Sequence, residues 1–90
     1  MKAYLFLYDA EFGTREQAKA LLDSIHEVVN WRYELPNSFY LISELGASQL
    51  SERVRAKRPS GRFLVAELGE NRQGWLSPDS WKFLNEKKPA

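Results

Sequence analysis

Near the start of the chain, Tyr4-Leu5-Phe6-Leu7-Tyr8 runs apolar without a break and stops at Asp9. A run of strand length that is apolar at every position reads as a central strand buried on both faces. Strand periodicity then puts Ala3, Leu5 and Leu7 on one face and Tyr4, Phe6 and Tyr8 on the other. Whatever fold this chain adopts must place two chemically different surfaces, one aliphatic and one aromatic, on the two sides of a single strand.

The rest of the chain supplies partners for that strand. Thr14 with Gln17 three residues on forms a capping box, and Ala18, Leu21, Leu22 and Ile25 follow at the spacing of one helix face. This predicts a helix from about Arg15 to His26. Val28 to Glu34 and Phe39 to Ser43 read as two strands joined at the Pro36-Asn37-Ser38 turn. A second helix from about Ser48 to Arg58 is capped by Ser48, stopped by Pro59 and apolar at Leu50 and Val54. Arg62 to Leu68 is a fourth strand. A polar loop, Gly69 to Gly74, leads to Trp75-Leu76 and a last short helix that Ser77 caps and Pro78 opens.

The order β-α-β-β-α-β is the ferredoxin-like arrangement of the α+β class. It implies a four-stranded antiparallel sheet in the order 4-1-3-2 with two helices on one face. The 90 residues form one domain, with a core of about residues 2–69 and an appendix of about 70–90 that carries a short strand or helix.

Composition narrows the chemistry. Without cysteine and with one histidine, thiolate zinc sites, disulfides and a Ser-His-Asp triad are excluded or nearly so. Phosphate loops, H-E-x-x-H and G-x-S-x-G are absent. The apolar run before Asp9 is shorter than a membrane span and lacks a secretory cleavage pattern, which places the chain in the cytoplasm and off the membrane. Thirteen basic against twelve acidic residues leave a net charge of +1, so any pull on nucleic acid must be local.

Two features invite a functional reading. If the aliphatic side of the first strand lies under the helices, Tyr4, Phe6 and Tyr8 lie on the open sheet face, joined by Tyr40 and Phe63. Such a face either stacks on unpaired bases, as in RNA-recognition domains of the same topology, or is buried in a homodimer or beneath the segment around Trp75 and Trp81. The second motif of the RNA-recognition family is missing from Ser38-Phe39-Tyr40-Leu41-Ile42-Ser43, which favours the homodimer, with Tyr4, Phe6, Tyr8, Tyr40, Phe63 and Trp75 as its interface. The second feature is the edge where the first strand ends. There the topology gathers Asp9 with Arg15, Arg32, Lys57, Arg58 and Arg62 near the start of the first helix, a setting for a phosphate or for a divalent cation held against a phosphodiester of RNA or DNA. The bland reading of Asp9 is a strand end that accepts turn hydrogen bonds and pairs with Arg62 or Arg15.

An apolar first strand ending in Tyr8-Asp9, a basic residue shortly after, a chain of this length and a segment beyond the fourth strand resemble the small ferredoxin-like CRISPR-associated subunit of the spacer-acquisition complex. The virulence-associated protein D ribonucleases are similar in design. This resemblance implies a dimer packed through sheet faces and matches Asp9 to the family's metal-linked aspartate. Its expectation is a weak Mg2+- or Mn2+-dependent endonuclease, with Asp9 as catalytic residue and metal ligand paired across a twofold axis. The alternative is a non-catalytic scaffold with a protein partner. Glu11-Phe12-Gly13-Thr14, where the family is basic and polar, departs from that pattern, as does the tail from Glu70 to Leu76, and the chain in this respect looks more like small bacterial or phage proteins with the same core.

Overall fold

The computed structural model describes residues 1–90. Its elements are β1 (Lys2–Tyr8), α1 (Arg15–Asp23), β2 (Val28–Arg32), β3 (Ser38–Ser43), α2 (Ala47–Lys57), β4 (Phe63–Glu67) and α3 (Pro78–Glu86). The strands form one antiparallel sheet in the order β2-β3-β1-β4, the ferredoxin-like α+β arrangement that the element order implies. β1 is central, pairing Phe6 with Phe39 of β3 on one side and with Val65 of β4 on the other. No helix is long and apolar enough to cross a membrane.

Local chemistry sets the helix boundaries. Thr14 Oγ1 accepts from the Gln17 N–H while Gln17 Oε1 accepts from the Thr14 N–H, so the expected capping box closes in both directions. α1 ends at Asp23, three residues before His26. Ser24 ends it, its N–H and hydroxyl both turning back onto the Leu21 carbonyl. α2 begins after Gly46 rather than at Ser48, with Gln49 Oε1 taking the Gly46 N–H at 3.1 Å. The segment between β4 and α3 forms no strand, so the appendix is a loop and a helix.

The two faces of β1 are assigned opposite to the sequence expectation. Tyr4, Phe6 and Tyr8 point under α1 and α2, where they join Phe12, Ala18, Leu21, Leu22, Leu50 and Val54 in the main core, and Phe63 packs against the same cluster. They are not an open face. Ring geometry shows why the aromatic side suits the helices: Phe6, Tyr8, Phe12 and Phe63 meet at centroid separations of 5.5–5.9 Å, a mixture of stacked, tilted and edge contacts. Big rings fill the depth between the sheet and two short helices whose inner faces carry few side chains, Ala18, Leu21 and Leu22 on α1 and Leu50 and Val54 on α2. Tyr4 also reaches across the layer to donate its hydroxyl proton to the Leu45 carbonyl, which lets its polar end be buried.

The aliphatic side faces the other way, and α3 covers half of it. Leu84 packs on Ala3, Tyr40 and Ile42, so Tyr40 is buried inside the chain as well. Ala3 gives the helix room for close approach. The tail is tied to β2: the Ala90 N–H donates to the Val29 carbonyl, at an irregularity in strand pairing between Val28 and Asn30, and Asn30 Nδ2 donates to the Lys88 carbonyl.

Because Phe6 is fully buried at the centre of the ring cluster, Phe6→Ala is expected to lower the unfolding free energy by about 3–5 kcal/mol, measured by urea denaturation. Phe6→Arg should fail to fold, whereas an interface residue on an open face would tolerate the charge.

Candidate functional site

Chemistry-bearing or unpartnered side chains come together at the corner at Asp9, at the polar latch under α3 and on the uncovered half of the sheet.

At the corner, Asp9 follows the last residue of β1 and closes the turn. Its Oδ1 accepts from the backbone N–H of Phe12 at 2.9 Å and of Arg62 at 3.1 Å. Its own N–H donates to the Arg62 carbonyl at 3.1 Å. The carboxylate thus ties the β1 turn to the start of β4. The Arg62 and Phe12 N–H groups hold its carboxyl below the usual carboxylate range. Close approach is built into the same corner: Gly61 has φ +82°, and a Cβ there would collide with the Phe12 backbone. Arg58 completes it, donating from Nε to the Phe12 carbonyl and from Nη2 to Gln17 Oε1 at 3.1 Å.

The predicted cationic cluster is only partly assembled. Arg58 and Arg62 are at the Asp9 corner, and Lys57 is exposed at the adjoining end of α2. Arg15 leans instead over the Tyr33 ring, 4.3 Å from its centroid. Arg32 is on the opposite face of the sheet, donating from Nε to Ser80 Oγ at 2.8 Å. No group of three or more His, Cys, Asp or Glu side chains converges anywhere in the chain. One carboxylate whose Oδ1 already receives two backbone N–H groups does not fit a resident Mg2+ or Mn2+, which requires several oxygen ligands in octahedral geometry.

The latch was not foreseen. Glu34, just past β2, accepts at Oε1 from the Ser77 hydroxyl at 2.9 Å and at Oε2 from the Ser77 N–H at 3.0 Å, and the buried Ser80 hydroxyl also donates to it. Ser80 and Ser77 hold the Glu34 carboxyl below its ordinary range. Ser77-Pro78 was legible as a helix start; that its cap would be shared with an acid just past β2 depends on where α3 docks.

On the face that α3 half covers, the β1 and β4 side is open. Leu64 is 56% exposed, and Leu7 and Leu35 are exposed as well. Trp75, on the loop into α3, is 97% exposed. It also forms part of the wall of a cleft of about 240 Å³ whose other apolar walls include Leu5, Leu35, Tyr40, Leu68 and Leu76, with Arg72 and Gln73 along its polar side. Of the six residues expected at an interface, Trp75 is the one left at the surface on this face.

Comparison of the chain with protein-family models, with curated proteins and with solved structures returned no match.

Two outcomes test these roles. Asp9→Ala is expected to lower the melting temperature more than Asp9→Asn, because the amide oxygen still accepts from Phe12 and Arg62. A depressed carboxyl stabilises the fold above its unfolded pKa of about 4.3 and loses that contribution as pH falls through the lower folded value. Glu34→Gln should therefore melt below wild type at neutral pH, with the gap narrowing on acidification below about pH 4; a scan of melting temperature against pH checks it.

Proposed function

We propose that this chain is a non-catalytic interaction module that works as a homodimer, joined through the uncovered half of its sheet with Trp75 as the anchor. The observation that carries this reading is an almost fully exposed Trp75 standing at the wall of a mainly apolar cleft on one face. Ligand pockets for small molecules typically run from about 300 to 1,000 Å³, so a cleft of about 240 Å³ is scaled to a single large side chain. An exposed ring at the lip of such a hollow can enter the same hollow on a second copy while its own hollow receives the partner's ring, the reciprocity an isologous twofold contact requires.

The neighbouring residues support the same occupant. Leu5, Leu7, Leu64 and Ala66 continue the apolar patch between Arg62 and Arg72 at its margins, and Trp is a residue type that often dominates binding energy at such contacts. With a net charge of +1, two copies meet without appreciable repulsion. The likeness to the small CRISPR-associated subunit adds the expectation of a dimer formed through sheet faces, here through the aliphatic face in place of the aromatic one. The endonuclease expectation for Asp9 gains little from the geometry: its hydrogen bonds give the carboxylate a structural task, and a twofold would add only one more.

Sedimentation velocity between about 1 and 100 µM is expected to show a dimer whose dissociation constant rises about thirtyfold in Trp75→Ala, the cost of one strong anchor. Trp75 has no buried surface to lose, so the variant should keep the wild-type fold by circular dichroism. A wild-type protein that stays monomeric across that range would falsify the reading.

A further inference from the structure

A second surface lies away from the proposed contact, where β2 forms the sheet edge beside α1. Trp31 and Tyr33 project from the same side of the chain with ring centroids 6.2 Å apart and planes within 14° of parallel. Phe39 meets both rings edge-on from below, at 5.4 and 5.5 Å, and Asp23 Oδ1 accepts from the Trp31 indole N–H at 2.6 Å. The pair is therefore held in place as a platform, yet Tyr33 is 39% exposed. Over the edge lies an open concavity of about 520 Å³ walled by Asn30, Trp31, Arg32, Tyr33 and Phe83, with Arg32 engaged by Ser80.

Two cations belong to this platform. Arg15 stands 4.3 Å from the Tyr33 centroid and Lys19 5.7 Å from that of Trp31. The chain's two ion pairs, Met1 with Glu44 and Arg53 with Glu27, involve neither. Both charges are thus held at ring faces and free to meet an anion. Arg15 already lies over the Tyr33 ring, and a guanidinium plane backed by an aromatic ring is itself a surface on which an unpaired base stacks, while its charge and that of Lys19 meet the backbone phosphates. A duplex keeps its bases stacked inside and cannot use the rings.

We propose that the Trp31–Tyr33 platform, with Arg15 and Lys19, binds single-stranded nucleic acid by stacking. Neither ring lies on the face assigned to the dimer, so both copies keep their platforms open. The site differs from the sheet-face stacking of RNA-recognition domains, because here the rings stand at an edge strand and against a helix.

The test is fluorescence anisotropy of the full chain with labelled oligo(dT) and oligo(U) dodecamers and with a duplex of the same length, at 20–200 mM salt. Binding of the single strands is expected, weaker for the duplex. Tyr33→Ala should weaken it roughly ten- to a hundredfold, as loss of one stacked base does, while Tyr33→Phe keeps the ring and the affinity. Arg15→Gln should reduce the slope of log K against log salt by about 0.7, the share of one phosphate contact on a single strand. Three results overturn the proposal: no binding at 100 µM protein and low salt, equal binding by Tyr33→Ala with its fold intact, or displacement by polyglutamate as effective as by the oligonucleotide, which would mark an acidic polypeptide as the ligand.

Discussion

The packing of Phe6 against Tyr8, Phe12 and Phe63 is the contact on which the remaining architecture rests. Four rings in van der Waals contact fill the space between the sheet and two short helices, and that choice fixes which side of β1 meets the helices. Once the aromatic side is committed, the aliphatic side must face outward, where a core residue as small as Ala3 leaves room for α3. The loop after β1 follows from the same packing. Phe12 must reach the cluster, so the turn is drawn inward, and Asp9, Gly61 and Arg58 are all in contact with its backbone.

This explains how a chain rich in carboxylates and arginines leaves so few of them free at its candidate sites. Asp9 serves the β1 turn, Arg58 the Phe12 carbonyl, Glu34 the start of α3, and Arg32 the two serines beside it. Each closes a junction where buried or turn polar groups, backbone or hydroxyl, need a partner, a demand as strict as apolar burial. What remains unpartnered is mostly apolar or aromatic: the open half-face with Trp75, and the Trp31–Tyr33 pair under Arg15 and Lys19. Unpartnered groups of that kind bind other molecules more readily than they transform them.

The strands, helices and sheet order were legible because each rests on local signals: the apolar run of β1, the Thr14–Gln17 box, the stop at Pro59, the Ser77-Pro78 start. The candidate sites were legible only as lists of residue types. For Asp9 the sequence offered a catalytic metal ligand and, as the bland reading, a strand end that accepts turn hydrogen bonds and pairs with Arg62 or Arg15; the hydrogen bonds observed come from the N–H groups of Phe12 and Arg62. Phe12, between Glu11 and Gly13, carried the signal of a buried anchor in a polar loop. Glu34 carried none, since its partners are 43 and 46 residues away along the chain.

The sequence by itself determined that β1 has one aromatic and one aliphatic side, that it lies at the centre of a β2-β3-β1-β4 sheet, and that two helices share one layer. Period-two alternation is unchanged when the two sides are exchanged, so it says nothing about which side the helices cover. The right-handed crossover from β1 to β2 fixes the side of the sheet on which α1 runs, but the rotation of the strand that presents tyrosines and phenylalanines to that layer is decided by volume. Only the assembled tertiary structure weighs the depth beneath α1 and α2 against the closer approach of α3, and it places the large rings in the deeper layer.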